Sequence, residues 1–218
     1  MTAPGAERMQ QVTEKYNAVA AAYDQRWARY LEETISRAVS WIEGPPTGIL
    51  LDVPCGTGSL LQQLTVRWPT ATLLGVDGAS GMLAQARAKF PAGRIPCIRG
   101  SADALPMHRA SVEWITCTSA LHYFQHPAAV LREFHRVLTA HGRLLLLDWC
   151  RETWQARLIN RWLRITDRTH VRTYTTQELR DMLTQHGFRV QRMERFRVPW
   201  SFPWRRWDMM MSLATPLP

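Results

Sequence analysis

The sequence predicts an α/β domain built on a doubly wound parallel sheet, and three observations carry that prediction. Short apolar runs rich in leucine and β-branched residues alternate with longer amphipathic stretches between about residues 49 and 148. The runs are apolar at successive positions, which suits strands covered by helices on both faces. Several of them end in a carboxylate or in small polar residues, where such sheets place their ligands. At 218 residues, one domain with a substantial core is expected.

The elements follow in order. Residues 1–6 read as frayed, and residues 7–22 and 24–42 as helices. The second helix brings Trp27, Leu31, Ile35, Val39 and Ile42 close to one face. Gly44-Pro45-Pro46 ends it and leads into Ile49-Leu50-Leu51-Asp52-Val53, the first strand. The turn Pro54-Cys55-Gly56-Thr57-Gly58 leads into a helix over 59–68, with Leu60, Leu61 and Leu64 inward and Pro69 as the stop. A second strand over 71–76 delivers Asp77, and Ser80 caps a helix over 80–90. Residues 95–98 form a weak third strand, which Pro96 assigns to an edge. The fourth strand is 112–118, the next helix 127–139, and the fifth strand 143–148, the most continuously apolar in the chain. An amphipathic helix over 152–165 interrupts the alternation. A helix over 176–186 and mixed-pattern strands over 189–198 and 207–214 then suggest an antiparallel tail.

The net charge of +9 is uneven: from Asp148 onward, 13 Arg and no Lys face 7 Asp or Glu, which is +6. An arginine-only surface suits phosphates, carboxylates or anionic lipid, and it also serves as a plain solubilising face. Cys55, Cys97, Cys117 and Cys150 show no metal or disulfide spacing, so a reducing compartment is expected. Residues 1–11 hold no apolar signal region and no apolar run is long enough to span a bilayer. The expected location is therefore cytoplasmic, with peripheral attachment to an anionic membrane surface as the further option. Nucleic acid is not expected as a partner, because Lys is scarce and no stacking platform is visible. Oligomeric state is not legible.

Four strand ends carry polar groups: Asp52 with its glycine turn, Asp77, Ser101-Ala102-Asp103, and Ser119 to His122. Gly56 and Gly58 keep the turn free of side chains, and the helix behind it offers unpaired N–H groups. An acid after the second strand accepts both hydroxyls of a ribose. Asp103 can accept from an adenine amino group, with Met82, Ala102 and Leu105 about the ring. A nicotinamide dinucleotide site shares the turn and the acid, but here the third glycine of its fingerprint is missing.

Together, Tyr16-x6-Tyr23-Asp24, LDVPCGTG, GVDGASGML, RGSADALPM, SALHYF and GRLLLLDW make the chain resemble the class I S-adenosylmethionine-dependent methyltransferases. The likeness is to the small-molecule type that includes the ubiquinone and menaquinone methyltransferases, and it runs from about Tyr16 to Phe188. It implies a Rossmann-like sheet ordered 3-2-1-4-5-7-6 with strand 7 antiparallel, and S-adenosylmethionine as cofactor with S-adenosylhomocysteine as product. It assigns the methionyl part to the turn from Asp52 through Pro54 and Gly56 to Gly58. The ribose falls to Asp77 beside Gly78, the adenine to Asp103 with Met82 and Ala102. Ser119 and Leu121 flank the cofactor, and Tyr23 closes over its carboxylate. Pro54 departs from the pattern, since a glycine is usual there. Proline removes an N–H, so the turn holds only if that N–H faced no acceptor. The implied organisation is one domain: an N-terminal helical lid (1–44), a cofactor-binding core (45–150), an inserted substrate-side helix (151–175) and a C-terminal helix and strands (176–218).

The cofactor brings its own electrophile, so the protein mainly holds a small, aromatic or lipophilic acceptor in line with it. His122 is the candidate general base and Asp148 a second candidate or an orienting group. The other readings are a wall histidine and a loop cap. His122 and His126 lack a third ligand, so no metal is expected. In the inserted helix, Trp154, Leu158 and Trp162 form one stripe, beside Arg157, Arg161, Arg164 and Arg168. Trp200, Phe202, Trp204 and Trp207 extend this character beside Arg205 and Arg206. Either the rings pack on the sheet and the arginines face water, or the surface meets a membrane or an acidic ligand. The alternative function is a non-catalytic, cofactor-binding subunit that docks through this surface.

Overall fold

The computed structural model describes residues 4–90, 93–199 and 206–217. Strands β1 (Ile49–Asp52), β2 (Thr72–Asp77), β3 (Cys97–Arg99), β4 (Val112–Thr118), β5 (Leu138–Trp149), β6 (Phe188–Pro199) and β7 (Arg206–Pro216) form one sheet. Its order is β3-β2-β1-β4-β5-β7-β6. The first five strands pair in parallel, and β7 runs antiparallel to both β5 and β6. Strand order therefore reverses between β1 and β4, which opens a crevice at their carboxyl ends.

Alternation along the strands splits the core in two. Leu144 and Leu146 face one side, with Leu131 and Phe134 of α6 (Pro127–Val137) and Leu179 and Leu183 of α8 (Thr176–Gln185). Leu145 and Leu147 face the other. There they meet Ile35 and Val39 of α3 (Ala28–Ser40), Leu61 and Leu64 of α4 (Ser59–Arg67), and Leu83 and Ala86 of α5 (Ser80–Lys89). Pro96 stands just outside β3, which is an edge strand as expected, and its carbonyl accepts from Gly75 N. The other edge, β6, exposes Arg189, Arg192, Arg195 and Arg197, charges that discourage further strand pairing.

The N-terminal region differs from expectation in two ways. Helix α1 (Pro4–Val19) already includes residues expected to fray, since proline in a first turn has no N–H to satisfy. The second helix is not continuous: a 3₁₀ turn, the short α2 (Tyr23–Arg26) and a break at Trp27 precede α3. Helix α3 packs into the sheet's helical layer. Helix α7 (Trp154–Thr166) starts two residues later than expected because Thr153 is its N-cap. Trp200, Phe202, Trp204 and Arg205 lie outside the described residues.

Candidate functional site

A cavity of about 790 Å³ fills the crevice at the carboxyl ends of β1, β2 and β4, with α1 to α3 forming its far wall. The turn after β1 is tied down on both sides of Pro54: Val53 N donates to Thr116 O and Cys55 N to Val76 O, each at 2.9 Å. Proline is thus the one residue of that run whose missing N–H leaves the ties intact. Gly56 and Gly58 adopt left-handed backbone (φ 53° and 77°). A Cβ on Gly58 would stand 2.9 Å from the Phe90 ring and 3.2 Å from Ala86 Cβ, so nothing larger fits between α4 and α5.

Asp52 ends β1 and is 1% exposed. Among the described residues its hydrogen-bond partner is Thr116 Oγ1, at 2.7 Å. Burial pushes its carboxyl up to about 7, against the Thr116 bond and with the Asp77 charge adding to the rise. Asp77 accepts from Gly56 N and Ala79 N, both at 2.8 Å. Burial still raises its pKa in spite of these backbone donors. Each of its oxygens keeps a lone pair for another donor. Gly78, Met82, Ala102 and Asp103 continue the wall; Met82 and Ala102 are buried, and Asp103 is exposed with Ser101 Oγ donating to it.

Ser119 also lines the cavity, in a positive-φ conformation (55°) held by its N–H to Leu147 O at 2.7 Å and by the Tyr30 hydroxyl at 2.6 Å. Tyr23 and Tyr16 face the cavity from the N-terminal helices. Burial, with Asp24 and Asp77 nearby, pushes Tyr23 up to about 12. Burial, aided by Tyr123 and Tyr23, also raises Tyr16 well above the usual phenol range. Both phenols are neutral donors at ordinary pH. Met9, Val12, Leu31, Ile35, Phe124 and Val130 add apolar surface to the wall, which Thr13, Thr34, Gln125 and His126 also line.

Leu121, His122 and Asp148 stand behind this wall rather than on it. His122 is 1% exposed and stacks on Trp149 at 4.0 Å. Its Nδ1 lies 2.5 Å from Asp148 Oδ1, and its N–H donates to Asp148 Oδ2 at 3.1 Å. Trp149 N donates to Asp148 Oδ1 at 2.6 Å. The carboxylate therefore pins the loop that carries Tyr123 and Phe124 into the cavity. His122 Nε2 has no hydrogen-bond partner among the described residues.

Sequence reasoning passed over two parts of the site. Asp24 reaches the glycine turn, accepting from Thr57 Oγ1 at 2.5 Å and Ser59 Oγ at 3.2 Å and pairing with Lys89 at 2.6 Å. Burial opposes that charge, but Lys89 and the hydroxyls outweigh it and hold the carboxyl below its usual range. Tyr30, the second, bridges Ser119 and Trp149. The signal for it was present, since Tyr16, Tyr23 and Tyr30 recur every seven residues, on one side of a helical path. No cluster of His, Cys, Asp or Glu fit for a metal occurs among the described residues.

Residues 51–146 match a methyltransferase domain family model. The chain is 31% identical to a malonyl-[acyl-carrier protein] O-methyltransferase of Methylococcus capsulatus over 183 residues, 82% of this chain and 66% of that protein. It is 29% identical to a ubiquinone/menaquinone biosynthesis C-methyltransferase of Desulfotalea psychrophila over 156 residues, 66% of this chain and 58% of that protein. The chain thus spans somewhat under two-thirds of the length of these curated relatives. A putative methyltransferase, solved in complex with the Haloferax volcanii Trm112 methyltransferase activator, superposes with a TM-score of 0.79. It covers 95% of this chain and 98% of its own at 19% identity, a likeness of fold. With the glycine turn, the strand-end acids and the 3-2-1-4-5-7-6 sheet already in place, the comparisons close the argument: the chain belongs to the class I S-adenosylmethionine-dependent methyltransferases.

Proposed function

We propose that this chain transfers the methyl group of S-adenosylmethionine to a small acceptor of aromatic or lipophilic character. The observation that carries the reading is one cavity lined both by strand-end carboxylates and by a group of apolar side chains. The carboxylates are Asp52, buried with Thr116 as its donor among the described residues, and Asp77, set in backbone N–H groups. The apolar group is Met9, Val12, Leu31, Ile35, Phe124 and Val130.

When bound, the cofactor supplies a methyl group on a cationic sulfur, already electrophilic. Asp52 offers charge to the methionyl ammonium, and Tyr23 offers a neutral hydroxyl to its carboxylate. Asp77 accepts the ribose hydroxyls. Asp103 accepts from the adenine amino group, with Met82 and Ala102 against the ring. Ser119 and Leu121 stay assigned to the cofactor side, Leu121 by backing the wall. Helix α1 acts as the lid, latched to the turn by way of α2 and the Asp24–Lys89 pair. The apolar side chains of the lining exclude water and align the acceptor, a proximity effect that a donor this reactive exploits well. The names of the two relatives place the methyl group on oxygen and on carbon, so the acceptor atom follows from neither.

His122 and Asp148 act in this reading as a pinned pair that shapes the wall. Their catalytic role is the competing outcome: a pH–rate profile of His122→Asn that loses a limb the wild type shows, in a protein that melts normally, would establish it. The primary test is calorimetry with S-adenosylhomocysteine. Binding is expected in the micromolar range, weakened on the order of a hundredfold by Asp77→Ala, because charge-assisted bonds are worth about 1.5–3 kcal/mol each. Absence of heat with both cofactor and product overturns the reading. Methyl transfer by the isolated chain to any of a panel of phenols, thiols, amines and quinols excludes the non-catalytic partner alternative.

A further inference from the structure

Helix α7 is turned the wrong way round for a helix of a globular protein. Its half-buried seam is Ala156, Asn160 and Leu163, and no residue of it is fully buried. The anchor at that seam is polar: Asn160 Oδ1 accepts from Thr173 N at 2.9 Å and Thr173 Oγ1 at 3.0 Å, and lies 3.0 Å from His170 Nε2. The large apolar residues occupy the opposite side. Trp154, Leu158, Trp162 and Ile165 are 67%, 58%, 61% and 76% exposed. Of the two readings open from sequence, packing of these tryptophans on the sheet is therefore set aside.

The second observation is charge. Arg157, Arg161 and Arg164 run along the strip beside the apolar face, spaced four and three residues apart, and Arg168 lies in the turn just past the end of α7. All four are exposed, and α7 itself contains no acidic residue. Elsewhere in this part of the chain, arginines find carboxylates: Arg151 and Arg172 pair with Glu178, and Arg197 with Asp208. Arg161, Arg164 and Arg168 make no ion pair among the described residues. A strip of free guanidinium groups next to exposed indole and aliphatic side chains matches the layering of an anionic bilayer surface, with charge at the headgroups and apolar matter just below. A protein partner would need an acidic and an apolar strip in the same register; a bilayer supplies both everywhere.

We propose that α7 is an interfacial helix that docks the chain on an anionic lipid bilayer. Trp154, Leu158, Trp162 and Ile165 enter the boundary between headgroups and acyl chains, while the four arginines contact lipid phosphates. Trp at this depth keeps its ring in apolar matter and its N–H near water. The end of α7 is itself tied to the body of the protein: Lys15 of α1 reaches Asp167 at 2.7 Å and Thr169 Oγ1 at 3.0 Å, just past that end.

Flotation of the full chain tests this, with vesicles of phosphatidylcholine alone and with about one-third phosphatidylglycerol. Binding is expected to the acidic vesicles only and to weaken as salt is raised. Replacing Arg161, Arg164 and Arg168 together by Gln should lower partitioning on the order of a hundredfold, since each arginine near such a surface is worth about fivefold. Trp154→Ser with Trp162→Ser should abolish binding without changing the melting temperature or the heat of S-adenosylhomocysteine binding, which keeps this test separate from that of the methyl-transfer reading. Equal flotation of wild type and the double tryptophan variant overturns the proposal, as does no flotation with acidic vesicles. A dimer in light scattering that the same variant dissociates, with no vesicle binding, assigns the face to a second copy and also overturns it.

Discussion

Three buried carboxylates stand at strand ends of this sheet, and two of them, Asp52 and Asp148, differ most in how their bonding capacity is filled. Asp52 closes β1 and Asp148 lies one residue from the end of β5; they are 1% and 3% exposed. Asp148 is saturated: two N–H donors and the His122 ring surround it. Asp52 has Thr116 alone among the described residues, and its pKa climbs to about 7. A buried acid normally finds its partners inside the protein. One that does not, on the wall of a cavity, has a place left for a ligand. The strand-end position that makes an acid look functional is thus shared by both, and only the count of donors separates an acid with room for a ligand from a pin.

The comparison breaks most visibly at Asp148. Asp148→Ala should cost about 3–5 kcal/mol of stability, because it strands a buried imidazole and two backbone donors. Chemical denaturation reads this directly. Affinity for S-adenosylhomocysteine, measured on the folded fraction, should change by less than about threefold. The reverse result, normal stability with lost turnover, would make Asp148 and His122 a catalytic pair and erase the distinction.

Asp52→Asn should do the opposite, weakening S-adenosylhomocysteine on the order of ten- to a hundredfold while leaving the Thr116 bond an oxygen to donate to. The pH dependence sharpens it. The folded chain keeps a proton on Asp52 that the unfolded chain has lost between about pH 4 and 7, so stability falls as pH rises through that window. Binding of a cationic ligand group needs the ionised form, so affinity should rise with pH, by up to about tenfold per unit, and level off above 7. Asp77 is raised as well and contributes to the slope in both proteins. The difference between wild type and Asp52→Asn isolates Asp52; an identical slope in the two refutes its role.

Much of the fold was legible because its signals are local. Strands buried on both faces must be apolar throughout, as Ile49 to Leu51 and Leu144 to Leu147 are, and a glycine turn after such a strand has few alternatives. Pro96 placed β3 at an edge for the same kind of reason. The saturation of Asp148 was not legible, because two of its three donors come from a residue 26 positions away that reaches it only when the loop after β4 folds back. The orientation of α7 was hidden differently. An amphipathic pattern states that one face is apolar, never that this face points inward, and the seam that holds α7 is an asparagine rather than a tryptophan. The continuous helix expected over 24–42 failed at Trp27 because α1 and α2 must bend over the cavity before α3 joins the layer below.

The smallest expected effect tests whether the two regions are as separate as Asp52 and Asp148 suggest, because one hydroxyl touches both. Tyr30 shares a hydrogen with Ser119 on the cavity wall and accepts from Trp149 Nε1, the ring stacked on His122. Ser119 holds a left-handed backbone that a residue with a Cβ adopts only under constraint, and Tyr30 supplies part of it. Tyr30→Phe removes two bonds without changing the ring's volume, so stability should fall by about 1–2 kcal/mol. If the regions are independent, the loss stays in stability and S-adenosylhomocysteine weakens only about twofold, through a looser Ser119. If instead Tyr30→Phe weakens the ligand as much as Asp52→Asn does, the pinned loop sets the shape of the binding wall through this hydroxyl. The saturated acid would then be a positioning group for the site whose ligand it never touches.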